Sequence, residues 1–299
     1  MTGMLRPTSE VHLRDPFVLP VSERGWYYLF GTTDPDCWGP VGIGFDAYRS
    51  RDLQQWEGPF SVFRPPSNFW ATHHFWAPEV FKYRKSYYMF ASFKAEGRAR
   101  GTQVLIADDP LGPFRPHSDG PVTPRDWECL DGTLHFEADG TPWMVFCHEW
   151  IQIRNGAVAA LPLSSDLRET CGEPVVLFHG SEATWAIGCA EDRERRVTDG
   201  PWLYRHHRSG ALCLLWSSIG EGGYTLGMAR SLSGSIRGPW QQDAEPLWSS
   251  DGGHAMIFKD FEGHQRLALH HPNQSPAERP QFLYLEETKD GLHVLSRPQ

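Results

Sequence analysis

Apolar residues in this chain come in short runs, and the runs come in pairs. "DPFVLP", "WAPEVF", "DGTLHF", "DGPWLY" and "GHAMIF" are each followed within a few residues by a second, aromatic-rich run. The partners are "WYYLFGTTD", "SYYMFASFK", "TPWMVFCHEW", "ALCLLWSSIG" and "QRLALHHPN", and the polar turns "SERG", "KYRK", "EADG" and "HRSG" separate four of the pairs. Each pair therefore predicts a β-hairpin. A third strand follows in "VGIGFDAY", "GTQVLIADD", "GAVAALPL", "YTLGMARS" and "FLYLEET". Four of these lead on to the outer segments "SRDLQQWEGP", "DPLGPF", "SSDLRETCGEP" and "SLSGSIRGPW".

The unit recurs about every sixty residues, which predicts an all-β, five-bladed β-propeller. Blades are expected to start near residues 12, 76, 130, 198 and 253 of a single domain spanning 1–299. A β-sandwich would also supply hairpins, but it does not require the same turn grammar in every unit. No long helix is predicted. "SRDLQQW" has the length of one helical turn, and residues 179–197 read as an irregular loop beside the binding face.

Composition narrows the partners. The chain has thirteen Trp, 24 Pro and 29 Gly, which suits short strands and tight turns. Its net charge is -9 and it has no basic run, which argues against nucleic acid. No apolar run is long enough to span a bilayer. The stretch "MTGMLRPTSEVHLRDPF" lacks the apolar core of a signal peptide. Cysteines at 37, 129, 147, 171, 189 and 213 are scattered, and three of them fall in or beside strands, where a thiol packs as a small hydrophobe. The expected compartment is the cytoplasm.

In a propeller the first strand of each blade lines the central channel. Three of these strands open on Asp15, Asp131 and Asp199. The second strands return to the same end, bringing Asp34, Lys94, His148, Glu149, Ser217, Ser218, His270, His271 and Asn273, with His73, His74 and Trp76 at the mouth of blade two. An Asp ahead of Gly or Pro also suits an Asx-turn. Three such residues in corresponding places of a closed ring point instead to glycoside hydrolysis, which uses a protonated carboxyl beside an ionised one. Asp34, His73, Trp76, His148, Glu149, His254 and His271 are the candidate sugar contacts, with Trp38 and Trp150 as further apolar platforms. His254 opens blade five, either as a core histidine or as the ligand of a structural calcium or other cation on the axis. No HExxH or zinc-spaced Cys pair occurs, and no cofactor is required. No GxSxG elbow, P-loop or dinucleotide fingerprint is present either.

These residues resemble glycoside hydrolase family 43, inverting enzymes on a five-bladed propeller, and the resemblance covers nearly the whole chain. "RDPFVL" with "YYLFGTT" looks like the family's opening, and "FWAPEVF" resembles its blade-two signature. "LDGTLHFEADGTPWMVF" and "VTDGPWLYR" resemble its third- and fourth-blade segments. The resemblance implies that Asp15 is the general base, that Asp131 tunes the acid and orients substrate, and that Asp199 is the general acid. The usual family residue at the last position is Glu. Asp draws the carboxyl back by roughly 1 Å, a scale of misplacement that matters to catalysis. Glu149 in "FCHEW" is the substitute donor to weigh against it.

The activity implied is exo-acting α-L-arabinofuranosidase on an arabinose- or xylose-containing oligosaccharide. β-D-xylosidase and galactan-active hydrolase are alternatives within the family. A retaining β-fructosidase-like enzyme, suggested by "RDP" and by Glu128 in "EC", and a non-catalytic carbohydrate-binding propeller are the readings outside it.

Overall fold

A computed structural model of the chain describes residues 4–289 and 291–295 and holds five antiparallel sheets, each formed from one contiguous stretch. Blade one comprises β1 (Met4–Pro7), β2 (Arg14–Val21), β3 (Trp26–Thr32), β4 (Phe45–Ser50) and β5 (Gln55–Phe63). Blade two is β6 (His73–Tyr83), β7 (Ser86–Ala95), β8 (Arg98–Ala107) and β9 (Arg115–Pro121). Blade three is β10 (Cys129–Phe136), β11 (Pro142–His148), β12 (Ala157–Pro162) and β13 (Val175–His179). Blade four is β14 (Asp199–Arg205), β15 (Leu212–Gly220), β16 (Gly223–Ser231) and β17 (Trp240–Gln242). Blade five is β18 (Gly253–Lys259), β19 (Gln265–His271), β20 (Arg279–Glu287) and β21 (Leu292–Leu295).

The strands β2, β6, β10, β14 and β18 form the inner edges of their sheets and pack beside one another in a closed circle. This is the expected five-bladed propeller. Two outer strands, β1 and β21, were not legible as repeats. Between β13 and β14 no strand forms, as the irregular run 179–197 predicts. The stretch "SRDLQQW" differs from the one-turn expectation. Asp52 Oδ1 accepts the N–H groups of Gln54 and Gln55, both at 2.8 Å, and Ser50 Oγ accepts that of Leu53 at 2.9 Å. Side chains thus take the donors that a helical turn would use. A one-turn helix, α1 (Trp150–Ile153), occurs instead, directly after Glu149.

Packing between blades one and two is largely aromatic. Phe45, Phe63, Phe75 and Phe93 meet with ring centroids 5.0–6.3 Å apart, a geometry worth about 0.5–1.5 kcal/mol per pair beyond simple burial. The ring closes without sharing a strand between the first and last blades. Arg14 of β2 instead reaches Glu278, which is fully buried, at 2.6 Å, and Asn273 Oδ1 at 2.8 Å. Arg279 adds a 2.8 Å bond to the Ser9 carbonyl. All six cysteines are free thiols, and Cys129, Cys147 and Cys213 lie fully buried in strands. No helix among the described residues is long and apolar enough to cross a membrane.

Every inner strand carries the same irregularity. Its pairing with the second strand slips by one residue, at 15–16, 77–78, 131–132, 200–201 and 254–255. The first residue of each bulge is left-handed: φ is 54° at Asp15, 46° at Ala77, 58° at Asp131, 52° at Gly200 and 49° at His254. Bulges of this kind kink a strand and re-aim a side chain. In three blades the second bulge residue is proline (Pro16, Pro78, Pro201), tolerated where the ladder is already broken. The recurring "DP", "AP" and "GP" pairs are therefore the written form of the bulge.

The backbone N–H of each left-handed residue is taken by the preceding blade. Ala77 donates to Thr32 Oγ1 at 2.9 Å, Asp131 to Ser92 Oγ at 2.8 Å, and His254 to Ser217 Oγ at 2.9 Å. Asp15 donates to His270 Nδ1 at 3.2 Å. In blade three the matching second-strand residue is Cys147, a poor acceptor, and Asp131 Oδ2 itself accepts from Gly200 at 2.9 Å. One ring of five bonds thus ties the blades together where the channel opens.

Candidate active site

The bulge register corrects the expectation that three aspartates hold equivalent places. Asp15 and Asp131 are left-handed bulge residues, equivalent to His254, whereas Asp199 is one residue earlier, equivalent to Arg14. The left-handed place in blade four belongs to Gly200. A Cβ there would stand 2.8 Å from His254 Cγ and 2.9 Å from its Cα, so glycine alone fits without displacing that ring. The "TDGP" sequence follows: Gly lets His254 approach, Pro fills the broken ladder, and Asp is left at the wall.

Despite the offset, all three carboxylates line one cavity of about 330 Å³, a size ordinary for small-molecule sites. Trp38, Trp76, Trp150, Glu149, His254 and Tyr224 share its lining. Trp76 is fixed by its indole N–H to the Cys37 carbonyl at 2.7 Å, by His74 stacked at 4.4 Å and by the Arg100 guanidinium 4.0 Å from its ring centre. Trp38 is more than half exposed, meets Trp76 edge-on at 4.9 Å and carries Arg14 on its face at 5.3 Å.

The carboxylates differ in their electrostatic settings. Burial alone would raise Asp15, but His254 at 3.2 Å, the adjacent Arg14 and a 2.6 Å bond from the Thr32 hydroxyl hold it below its ordinary value. His270 beneath it is pushed down to about 4, chiefly by burial. It stays neutral, accepts the Asp15 N–H at Nδ1, and directs Nε2 toward Asn273 Oδ1 at 3.1 Å. Asp131 and Asp199 move the other way, each raised to about 8. Burial is the largest cause for both; the charge of Asp15 adds for Asp131, and that of Asp131 adds for Asp199. Coupled carboxylates titrate as a pair, so this pair keeps a proton up to about pH 8, whereas Asp15 loses its own below the ordinary carboxylate range.

The other sequence candidates divide. Glu149 lines the cavity but is committed to Arg100 at 3.1 Å, with both side chains buried, which suits an ion-pair partner better than a proton donor. Trp76 and His254 also line it. Asp34, His73, His148 and His271 do not. Asp34 takes the Ile43 N–H at 3.0 Å and braces the loop that carries Trp38. His73 sits beside Thr72 Oγ1 at 3.0 Å. His148 stacks on Trp127 at 4.2 Å and meets Gln152 at 2.7 Å. His271 pairs with Arg279 across β19 and β20. Lys94 and Glu128 form an ion pair outside the lining, which leaves the retaining alternative without its carboxylate in the cavity.

A group of side chains able to hold a cation does exist on the propeller. It is Asp260, Glu262 and His264 at the turn between β18 and β19, the opposite end of blade five from His254. Arg14, Thr32 and Tyr224 were missed as site residues. Tyr224 had a legible signal, because a third strand starts at the end where a second strand finishes.

A model of the glycosyl hydrolases family 43 matches residues 4–292. The chain is 39% identical to an endo-arabinase from Bacteroides thetaiotaomicron VPI-5482, with a TM-score of 0.87 over 97% of this chain and 99% of that one. It is 24% identical to a thermostable family-43 glycoside hydrolase, with a TM-score of 0.82 over 99% of this chain and 96% of that one. Among curated proteins, extracellular endo-alpha-(1->5)-L-arabinanase 1 of Bacillus subtilis (strain 168) is 23% identical over 152 residues, 48% of this chain and 45% of that protein. The matched part thus spans a little under half of that curated relative.

Proposed function

Because the chain belongs to glycosyl hydrolase family 43, we propose that it is an inverting hydrolase of α-L-arabinofuranosyl linkages in arabinan, with Asp15 as general base and Asp199 as general acid. The observation that carries this reading is the convergence of three carboxylates on one cavity in opposite settings: Asp15 beside His254, Arg14 and the Thr32 hydroxyl, and Asp131 and Asp199 raised by burial and by neighbouring carboxylates. Asp15 takes a proton from a water as its oxygen attacks the anomeric carbon. Asp199 gives its proton to the departing glycosidic oxygen, and the bond to that oxygen breaks in the same displacement. Inverting pairs of this kind stand about 6.5–9.5 Å apart so that the water fits between them. Asp131, fixed by the Gly200 N–H, raises its neighbour through their coupling and is placed to accept a sugar hydroxyl.

Cleavage within the polymer chain is favoured over the exo action suggested by sequence. Its support is the 39% identity to an endo-arabinase and a set of exposed apolar side chains, Trp38, Val41 and Ile43 on one loop and Ile151 on α1, of which Trp38 lines the cavity. The exo reading keeps one observation in its favour: a cavity of about 330 Å³ encloses only a short piece of sugar chain. Early digestion of linear arabinan tests this. Internal cutting yields a ladder of oligosaccharides before arabinose accumulates. Arabinose alone from the start supports the exo reading, and cleavage of xylan or galactan with arabinan untouched overturns the arabinan assignment.

The proton arrangement also sets the pH profile. Turnover requires Asp15 ionised, so the acid limb should fall below the ordinary carboxylate range. It also requires the Asp131–Asp199 pair to retain a proton, so activity should decline as pH rises through about 8. Steady-state rates from pH 3 to 10 check this, and an alkaline limb at the ordinary carboxylate value would contradict a raised pair.

A further inference from the structure

The structure assigns Tyr224 as the positioning residue of the shortened acid. Its hydroxyl, 3.0 Å from Asp199 Oδ2, occupies that oxygen and leaves Oδ1 to carry the proton given to the leaving group. This inference rests on the reading of Asp199 as general acid.

Four independent features hold the tyrosine to this task. Its backbone N–H is tied to Asp251 Oδ1 at 3.1 Å. Its ring lies flat on the His270 imidazole, with centroids 5.5 Å apart and planes at 19°. Its other side runs against Gly253, where an added Cβ would come within 2.7 Å of Tyr224 Cε1 and 2.8 Å of Cδ1. Its ring is buried and lines the cavity. Gly253 stands where blade one has Arg14 and blade four has Asp199, so blade five gives up a side chain to make room for this ring. The second glycine of "DGGHAM" thereby acquires a purpose.

A carboxyl one methylene shorter than the family's usual Glu has fewer rotamers that reach the cavity, and a donor on one oxygen selects among them. The same bond favours the ionised form of Asp199 and moderates the rise that burial imposes. Burial, followed by the nearby carboxylates, keeps the phenol itself protonated well beyond neutral pH.

Tyr224→Phe retains the ring and its packing while removing the donor. The expected result has two parts. Turnover on arabinan falls about tenfold or more, with a much smaller loss on aryl arabinofuranosides that have excellent leaving groups. The alkaline limb moves up by roughly one pH unit, as loss of a hydrogen bond to a charged group predicts. Gly253→Ala keeps every functional group but crowds the Tyr224 ring, and also Ser217 Oγ at 2.7 Å, and it should shift the limb in the same direction. Equal losses on both substrate types with an unmoved limb overturn the assignment. Asp199→Ala assayed in parallel separates the two claims. If it discriminates between leaving groups while Tyr224→Phe does not, the acid reading stands and the Tyr224 role falls. If Asp199→Ala does not discriminate, the acid reading itself has failed.

Discussion

Asp15→Ala is expected to lower turnover by at least about a thousandfold with little change in folding, because general-base assistance contributes on the order of 10²–10⁴. The fold is expected to survive because blade two already places an alanine, Ala77, in the same left-handed bulge position with φ of 46°. The inter-blade bond from the residue 15 N–H to His270 needs no side chain and should persist. What disappears is the ionised acceptor that His254, Arg14 and Thr32 stabilise. The charge of Asp15 also helps raise Asp131, so the residual activity should lose protonation of the pair at lower pH than the parent enzyme. Turnover and melting temperature measured on the same preparation check this. Parent-like turnover would remove Asp15 from the mechanism, and a collapsed melting transition would make its role structural.

The second large effect is expected at Asp199. Asp199→Ala should cost on the order of 10²–10⁴ on arabinan, whose leaving oxygen needs a proton as the bond breaks. On aryl arabinofuranosides with excellent leaving groups the cost should shrink toward unity, since the departing phenolate needs little help. The alkaline limb should also change, because the variant breaks the Asp131–Asp199 pair. A loss of equal size on both substrate types would move the acid role elsewhere. Glu149 is then the first group to test, although its pairing with Arg100 at 3.1 Å argues against it.

The strand repeat was legible because it rests on patterns of two and on turn residues, which local sequence records directly. Pairs of apolar runs separated by "SERG" or "EADG" read as hairpins, and the recurrence of the same unit pointed to a ring. The convergence of Asp15, Asp131 and Asp199 followed from that ring. Their fine placement did not, because a bulge inserts one residue that periodicity does not count. Asp199 accordingly stands one position off from the other two, and only pairing with Ser217, as Arg14 pairs with Thr32, reveals it. The polar residues at the catalytic end of the blades divide for a related reason. Asp34, His73, His148 and His271 reach the correct end of the propeller, but alternate residues of a strand face opposite sides, and other partners hold these four: Ile43 for Asp34, Thr72 for His73, Gln152 of α1 for His148 and the β20 ladder for His271. Arg14 and Glu278 were hidden in another way. They are more than 260 residues apart, and nothing local in "RDP" or "AERPQ" announces a closing ion pair.

The mechanism proposed for this enzyme is a single displacement by water activated at Asp15 on the side of the sugar away from Asp199. Its most direct test is the configuration of the first product, followed by proton NMR in the opening minutes of hydrolysis, before mutarotation mixes the anomers. With inversion, α-L-arabinofuranosides are expected to release β-L-arabinofuranose first. Initial release of the α anomer would mean two displacements through an enzyme-bound sugar and would contradict the roles given to Asp15 and Asp199.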